Sequence, residues 1–118
     1  MPDRNMDLLR QILLEVEMQA FQPGYYELSI EGYTEEQISY HVQLARDAGL
    51  IEAIDLSDMD GTCWRPTRLT FQGHEFLEAA RNPSFWRQAK ELVLQKTGTL
   101  TIEGLKIALA ELIRTVMR

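Results

Sequence analysis

A chain of 118 residues, 45% hydrophobic and 25% charged, has the proportions of one ordinary globular domain, and no run reaches the roughly 18 to 20 uninterrupted apolar residues of a membrane span. The net charge of −6 is uneven: residues 1–81 hold six basic against fifteen acidic residues, a balance of −9, whereas residues 82–118 hold six against three, a balance of +3. Nucleic-acid surfaces gather Lys and Arg to displace counterions, so the acidic front two-thirds argues against one there.

From Asp3 to Ala20 the apolar residues Met6, Leu9, Ile12, Leu13, Val16 and Ala20 recur at helical spacing, with Gln11, Glu15 and Glu17 off the stripe. Gln22-Pro23-Gly24 ends this helix. Tyr25, Tyr26, Leu28 and Ile30 then alternate with polar residues as far as Gly32, predicting a short strand. The charged start of the chain, with Asp3, Arg4, Asp7 and Arg10 where a secretory signal would be apolar, points to a cytoplasmic protein.

Thr34-Glu35-Glu36-Gln37 is a capping-box signature, followed on one face by Ile38, Val42, Ala45 and Ala48, with His41 and Leu44 at its border and Gly49 as the C-terminal stop. Residues 50–56 and 63–69 read as two strands turning at Asp58-Met59-Asp60-Gly61. Thr70 caps another helix, carrying Phe71, Phe76, Leu77 and Ala80, and Asn82-Pro83 separates it from one beginning near Ser84. There Phe85, Trp86, Ala89, Leu92 and Val93 form the apolar face. Gly98 breaks the chain, and Thr101 opens a last helix. Phe71, Phe76, Phe85 and Trp86 are expected to fill the core of the last three helices. Some of Tyr25, Tyr26, Tyr33, Tyr40 and Trp64 are expected to face a partner, because these residue types concentrate at contact hot spots.

The segment Ile38-Ser39-Tyr40-His41-Val42-Gln43-Leu44-Ala45-Arg46-Asp47-Ala48-Gly49-Leu50-Ile51 resembles the recognition helix and first wing strand of arsenic-repressor-type winged-helix regulators. Arg68-Leu69-Thr70-Phe71-Gln72-Gly73 is similar to the leucine-threonine and glycine closing of a wing in the same superfamily. Taken whole, the chain resembles a family of small, functionally uncharacterised bacterial and phage-associated winged-helix proteins. The resemblance implies a mainly α, α+β fold: a winged helix with a short extra strand, a two-stranded wing and additional C-terminal helices. Residues 1–81 would form the winged helix and residues 82–118 a helical extension packed on it as one structural domain.

The function must come from the surface. In DNA-binding winged helices the second-helix start and the wing tip approach phosphates. Here those places carry Glu35, Glu36, Asp55, Asp58 and Asp60, each of which repels a phosphate. Ser39, Tyr40, Gln43 and Arg46, with Arg65 and Arg68, remain capable of reading base edges. The expectation is therefore a non-enzymatic interaction module whose face of Glu35, Glu36, Ser39, Tyr40, Gln43, Arg46, Asp58, Asp60 and Arg65 meets a protein partner. A dimeric DNA-binding regulator and an acidic mimic of nucleic acid are the alternatives. Catalysis would have to come from His74 with Glu75 and Glu78, or from Cys63 with a histidine, and no phosphate loop, zinc-protease motif or nucleophile elbow accompanies them. With one cysteine and two histidines, neither a disulfide nor a metal site is expected, and no cofactor.

Ile102, Leu105, Leu109, Leu112 and Val116 follow one another at intervals of 3, 4, 3 and 4, widened by Ala108 and Ile113. Such a seam can complete the monomer core against the first helix or join two chains. Self-association through Leu105, Leu109, Leu112 and Val116 is the expectation, with Arg114 and Arg118 meeting the acidic first helix of a second copy.

Overall fold

The computed structural model describes residues 2–19 and 22–117. It is mainly helical, with a two-stranded antiparallel sheet: α1 (Met6–Met18), α2 (Glu35–Asp47), β1 (Ile51–Asp55), β2 (Trp64–Leu69), α3 (Phe71–Ala80), α4 (Pro83–Thr97) and α5 (Ile102–Val116). Two compact units divide the chain, Met1–His74 and Glu75–Arg118.

In the first unit α1 begins later than the hydrophobic spacing predicts, because the Asn5 side chain accepts from the Leu8 amide and caps the helix there. Its inward stripe is Met6, Leu8, Leu9, Ile12, Leu13 and Val16. Ala20, expected to close the stripe, lies outside the described residues. The capping box of α2 is complete: the Gln37 amide donates to Thr34 Oγ1 at 3.1 Å and the Thr34 amide to Gln37 Oε1 at 2.8 Å. Ile38, Val42 and Ala45 are buried, and Gly49 ends the run at φ +78°, a left-handed value that glycine takes without steric penalty.

Strands β1 and β2 pair from Ile51↔Leu69 to Asp55↔Trp64, with an irregularity between Glu52 and Ala53 that leaves Thr67 opposite no residue. Both are slightly shorter than the sequence pattern predicts. The turn falls where Asp60-Gly61 places it: Asp58 and Gly61 exchange backbone hydrogen bonds of 3.0 and 3.2 Å.

The extra strand over residues 25–30 does not form. Its alternation is real, since Tyr26 and Leu28 are buried and Glu27 and Ser29 exposed, and the Tyr26 amide donates to the Pro66 carbonyl at 2.8 Å. In an antiparallel strand a residue's N and O point to the same side, so the return bond would need an N–H on Pro66. Proline has none. The segment therefore lies along β2 on one hydrogen bond and not on a ladder.

Thr70 joins sheet to helix. Its amide donates to the Leu50 carbonyl at 3.0 Å, its hydroxyl donates to the Gly49 carbonyl at 2.6 Å, and the same hydroxyl accepts from the Gly73 amide at 3.0 Å. A Cβ on Gly73 would sit 2.9 Å from the Leu50 carbonyl carbon and closer still to its oxygen, so only glycine permits this approach. Phe71, expected in the core, is instead 66% exposed. It stands two residues from Gly73, about 200° around the helix, and so faces away from the close contact.

In the second unit Asn82 caps α4 by accepting from the Ser84 and Phe85 amides, with Pro83 in the first turn, and Gly98 at φ +79° closes it. Thr101 caps α5 by accepting from the Gly104 amide at 3.0 Å. Phe76 and Trp86 meet edge to face, with ring centroids 6.2 Å apart. Phe85 is only half-buried, so Phe76 and Trp86 supply the buried aromatic share of the expected core.

Candidate functional site

The start of α2 and the tip of the hairpin enclose an open cleft of about 450 Å³, lined by Glu35, Glu36, Ser39, Asp60, Gly61, Thr62, Cys63 and Arg65. Glu35 and Glu36 project from the first helical turn because the Thr34–Gln37 box fixes where the helix begins, and Asp60 enters from the turn. Three acidic residues thus line one concavity. Arg65 is the cleft's single cationic residue, and its Nε is buried without a hydrogen-bond partner.

Several side chains brace this arrangement. Ser39 is buried, and its Oγ accepts from the Trp64 amide at 2.8 Å, tying the base of the hairpin to α2. Arg46 pairs with Asp47 at 3.5 Å and lies 5.5 Å from the centre of the Trp64 ring. At the other side of the turn, hydrogen bonds from the Ser57 hydroxyl and amide, aided by the charge of Arg46, hold the Asp55 carboxyl below its ordinary range. Ser57 Oγ also accepts from the Cys63 amide at 2.8 Å.

Behind the cleft, His41 is buried between α1 and α2. The Asn5 amide donates to its Nε2 at 2.8 Å, which makes Nε2 the bare nitrogen; Nδ1 then carries the proton and donates to the Gln37 carbonyl at 2.7 Å. Burial pushes the His41 pKa down, against the opposing effect of its bond to Gln37. With both nitrogens engaged, His41 has no lone pair to activate Cys63.

The sequence-predicted face is therefore brought together in part. Glu35, Glu36, Asp60, Arg65 and Ser39 share the cleft, Asp58 sits exposed on the turn outside its lining, and Tyr40 and Gln43 are half-exposed further along α2. Arg68 is held away by Glu52, at 2.7 Å. Thr62 and Cys63 are cleft residues that sequence reasoning did not assign to the face; their position follows once the turn is fixed at Asp60-Gly61. His74 is exposed and borders a separate hollow with Val16, Glu17, Tyr26, Arg68 and Leu69, while Glu78 pairs with Arg81 at 3.3 Å. No group of three His, Cys, Asp or Glu side chains able to hold a metal ion occurs among the described residues. In the proposed seam Leu105 and Leu109 are buried, Leu112 is half-buried and Val116 is exposed; Arg118 lies outside the described residues. No helix among the described residues is long and apolar enough to cross a membrane.

Comparison with known proteins places the sequence in a family. The model of DUF2513, described as a hypothetical protein, matches residues 3–99, which take in α1, the cleft and all of α4. The chain belongs to the DUF2513 family. An uncharacterized protein of Haemophilus influenzae is 40% identical over 106 residues, spanning 87% of this chain and 88% of that protein. This DUF2513 chain is matched by no solved structure.

Proposed function

We propose that this DUF2513 chain is a non-catalytic interaction module, built on a winged-helix plan, whose α2–hairpin cleft takes a basic side chain of a protein partner. The observation that carries this reading is that Glu35, Glu36 and Asp60 line the cleft together, three acidic residues against the single cation Arg65. A Lys or Arg of a partner would meet three carboxylates there, whereas a nucleic-acid phosphate would be repelled by all three. Two of the side chains able to read bases are engaged elsewhere: Ser39 with the Trp64 amide, Arg46 with Asp47 and the Trp64 ring. The balance over residues 1–74, five basic against thirteen acidic, favours the same kind of partner. Support for the winged-helix plan lies in the order of two helices, a hairpin and a helix, with Gly49 and the Thr70–Gly73 closure at its joints.

The test is photo-crosslinking in the native cell from position 40 on α2 and position 62 on the hairpin, one on each side of the cleft, which leaves all three carboxylates in place, with exposed position 87 on α4 as control. Both cleft-side positions should give one common protein adduct, lost when Glu35 and Glu36 are replaced by Lys. Adducts to nucleic acid, or no adduct common to the two walls, would overturn the reading. If the captured partner is itself a DNA-binding protein, the cleft is acting as a mimic of phosphate.

A further inference from the structure

We infer a second interaction surface, on the other unit: a groove between α4 and α5 that receives a second copy of this chain, antiparallel to the first. The groove measures about 540 Å³ and is lined by Leu92, Val93, Lys96 and Thr97 from α4 and by Gly104, Ile107, Ala108 and Glu111 from α5. Its floor is shallow because Gly104 brings the helices together: a Cβ there would lie 3.0 Å from Val93 Cγ1 and 2.9 Å from Thr101 Oγ1. Beside this hollow stands Ile107, 66% exposed. The surface thus offers both an apolar knob and a hollow floored by Gly104 and Ala108, which is what a self-complementary contact needs.

Charge selects the occupant and its direction. Residues 98–101 join α4 to α5 as a short helical hairpin, so Lys96 and Thr97 near the end of α4 lie at the Gly104 end of the groove, while Glu111 lies at the far end. The Gly104 end carries the cation Lys96, and the far end carries the carboxylate of Glu111, shared with Arg114. A second copy related by a two-fold axis runs its α5 antiparallel, sets Ile107 over the opposing hollow, and brings Lys96 of each chain to Glu111 of the other. A parallel copy would oppose Lys96 to Lys96. Among the described residues Lys96 has no ion-pair partner, and Glu111 bonds Arg114 at 2.6 Å with an oxygen left to accept from a second cation. This contact is distinct from the Leu105–Leu109 seam, whose leading residues are already buried.

Sedimentation equilibrium of the full chain at about 150 mM salt, where exposed charges more than about 8 Å apart are screened, tests the assignment. Wild-type protein should show a monomer–dimer equilibrium, and Ile107→Glu should remain folded by circular dichroism and monomeric. Lys96→Glu or Glu111→Lys alone should raise the dissociation constant about tenfold, because each reversal acts twice in a symmetric dimer; the double exchange should restore association. A wild-type chain that stays monomeric into the high micromolar range would overturn the inference. So would a dimer indifferent to Ile107→Glu, or single reversals that the double exchange does not rescue, since either places the contact elsewhere.

Discussion

Replacing Gly73 by Ala isolates the junction between sheet and helix. On an unobstructed helix the change would stabilise by about 1 kcal/mol, because alanine is the better helix former. Here the added methyl meets the backbone of Leu50, 2.9 Å from its carbonyl carbon and nearer to its oxygen. No rotamer change relieves a backbone contact, and the same carbonyl already accepts from the Thr70 amide at 3.0 Å. The start of α3 would have to move by about 1 Å or more, loosening the Thr70–Gly73 cap bond as well. Overpacking costs about 1 to 3 kcal/mol, and a clash with backbone belongs at the upper end of that range, so after the propensity gain a net loss of about 2 kcal/mol is expected. Urea denaturation followed by tryptophan fluorescence measures it. Trp64 lies in the first unit and Trp86 in the second, so a Trp86→Phe background assigns the signal to the unit that holds Gly73. The midpoint should fall at an unchanged slope. A Gly73→Ala protein as stable as the parent, or more so, would refute the argument that the close approach to Leu50 fixes this residue.

The His41 contact makes a pH prediction. Because its folded-state pKa is depressed, its contribution to stability is fully present above the unfolded value near 6.5; it declines by about 1.4 kcal/mol per pH unit at most on acidification, until the folded pKa is passed. His41→Gln should remove that slope in urea titrations between neutral pH and pH about 5, where groups of ordinary His pKa titrate. Leu109→Ala should destabilise the second unit by roughly 2 to 5 kcal/mol, read from Trp86 fluorescence, because Leu109 is buried. Labelled duplex DNA at about 150 mM salt should bind no more tightly than the micromolar affinity typical of non-specific contacts, and a gel-shift midpoint near 10⁻⁸ M would contradict the charge argument.

The helices of this chain were legible because their signals are local. Thr34 with Gln37, Asn82 with Pro83, and Gly49 and Gly98 act within a few residues of where they stand, and each marks a helix end in the structure. What failed to show in the sequence depends on partners far along the chain. The alternation of residues 25–30 correctly forecasts which side chains are buried, yet whether a strand forms was decided by the missing donor on Pro66, some 40 residues away. Phe71 carries no local mark of exposure; Gly73 sets the inward face of α3 through a contact with Leu50. At the cleft, charge alone selected Glu35, Glu36 and Asp60, whereas the engagement of Ser39 and Arg46 with Trp64 needed the register of the hairpin. The role of His41 was hidden for the same reason, since Asn5 lies 36 residues before it.

Pro66 also bears on how this chain avoids unwanted assembly. A bare strand edge is a template on which another chain can add a strand, and small sheets have proportionally more edge than large ones. Along the side of β2 that meets residues 25–28, the Pro66 carbonyl is already taken by the Tyr26 amide and the proline offers no N–H in return. An incoming strand would find its reciprocal bond missing at the centre of the edge. Recruitment of further strands in the manner of a fibril is thereby checked on that side.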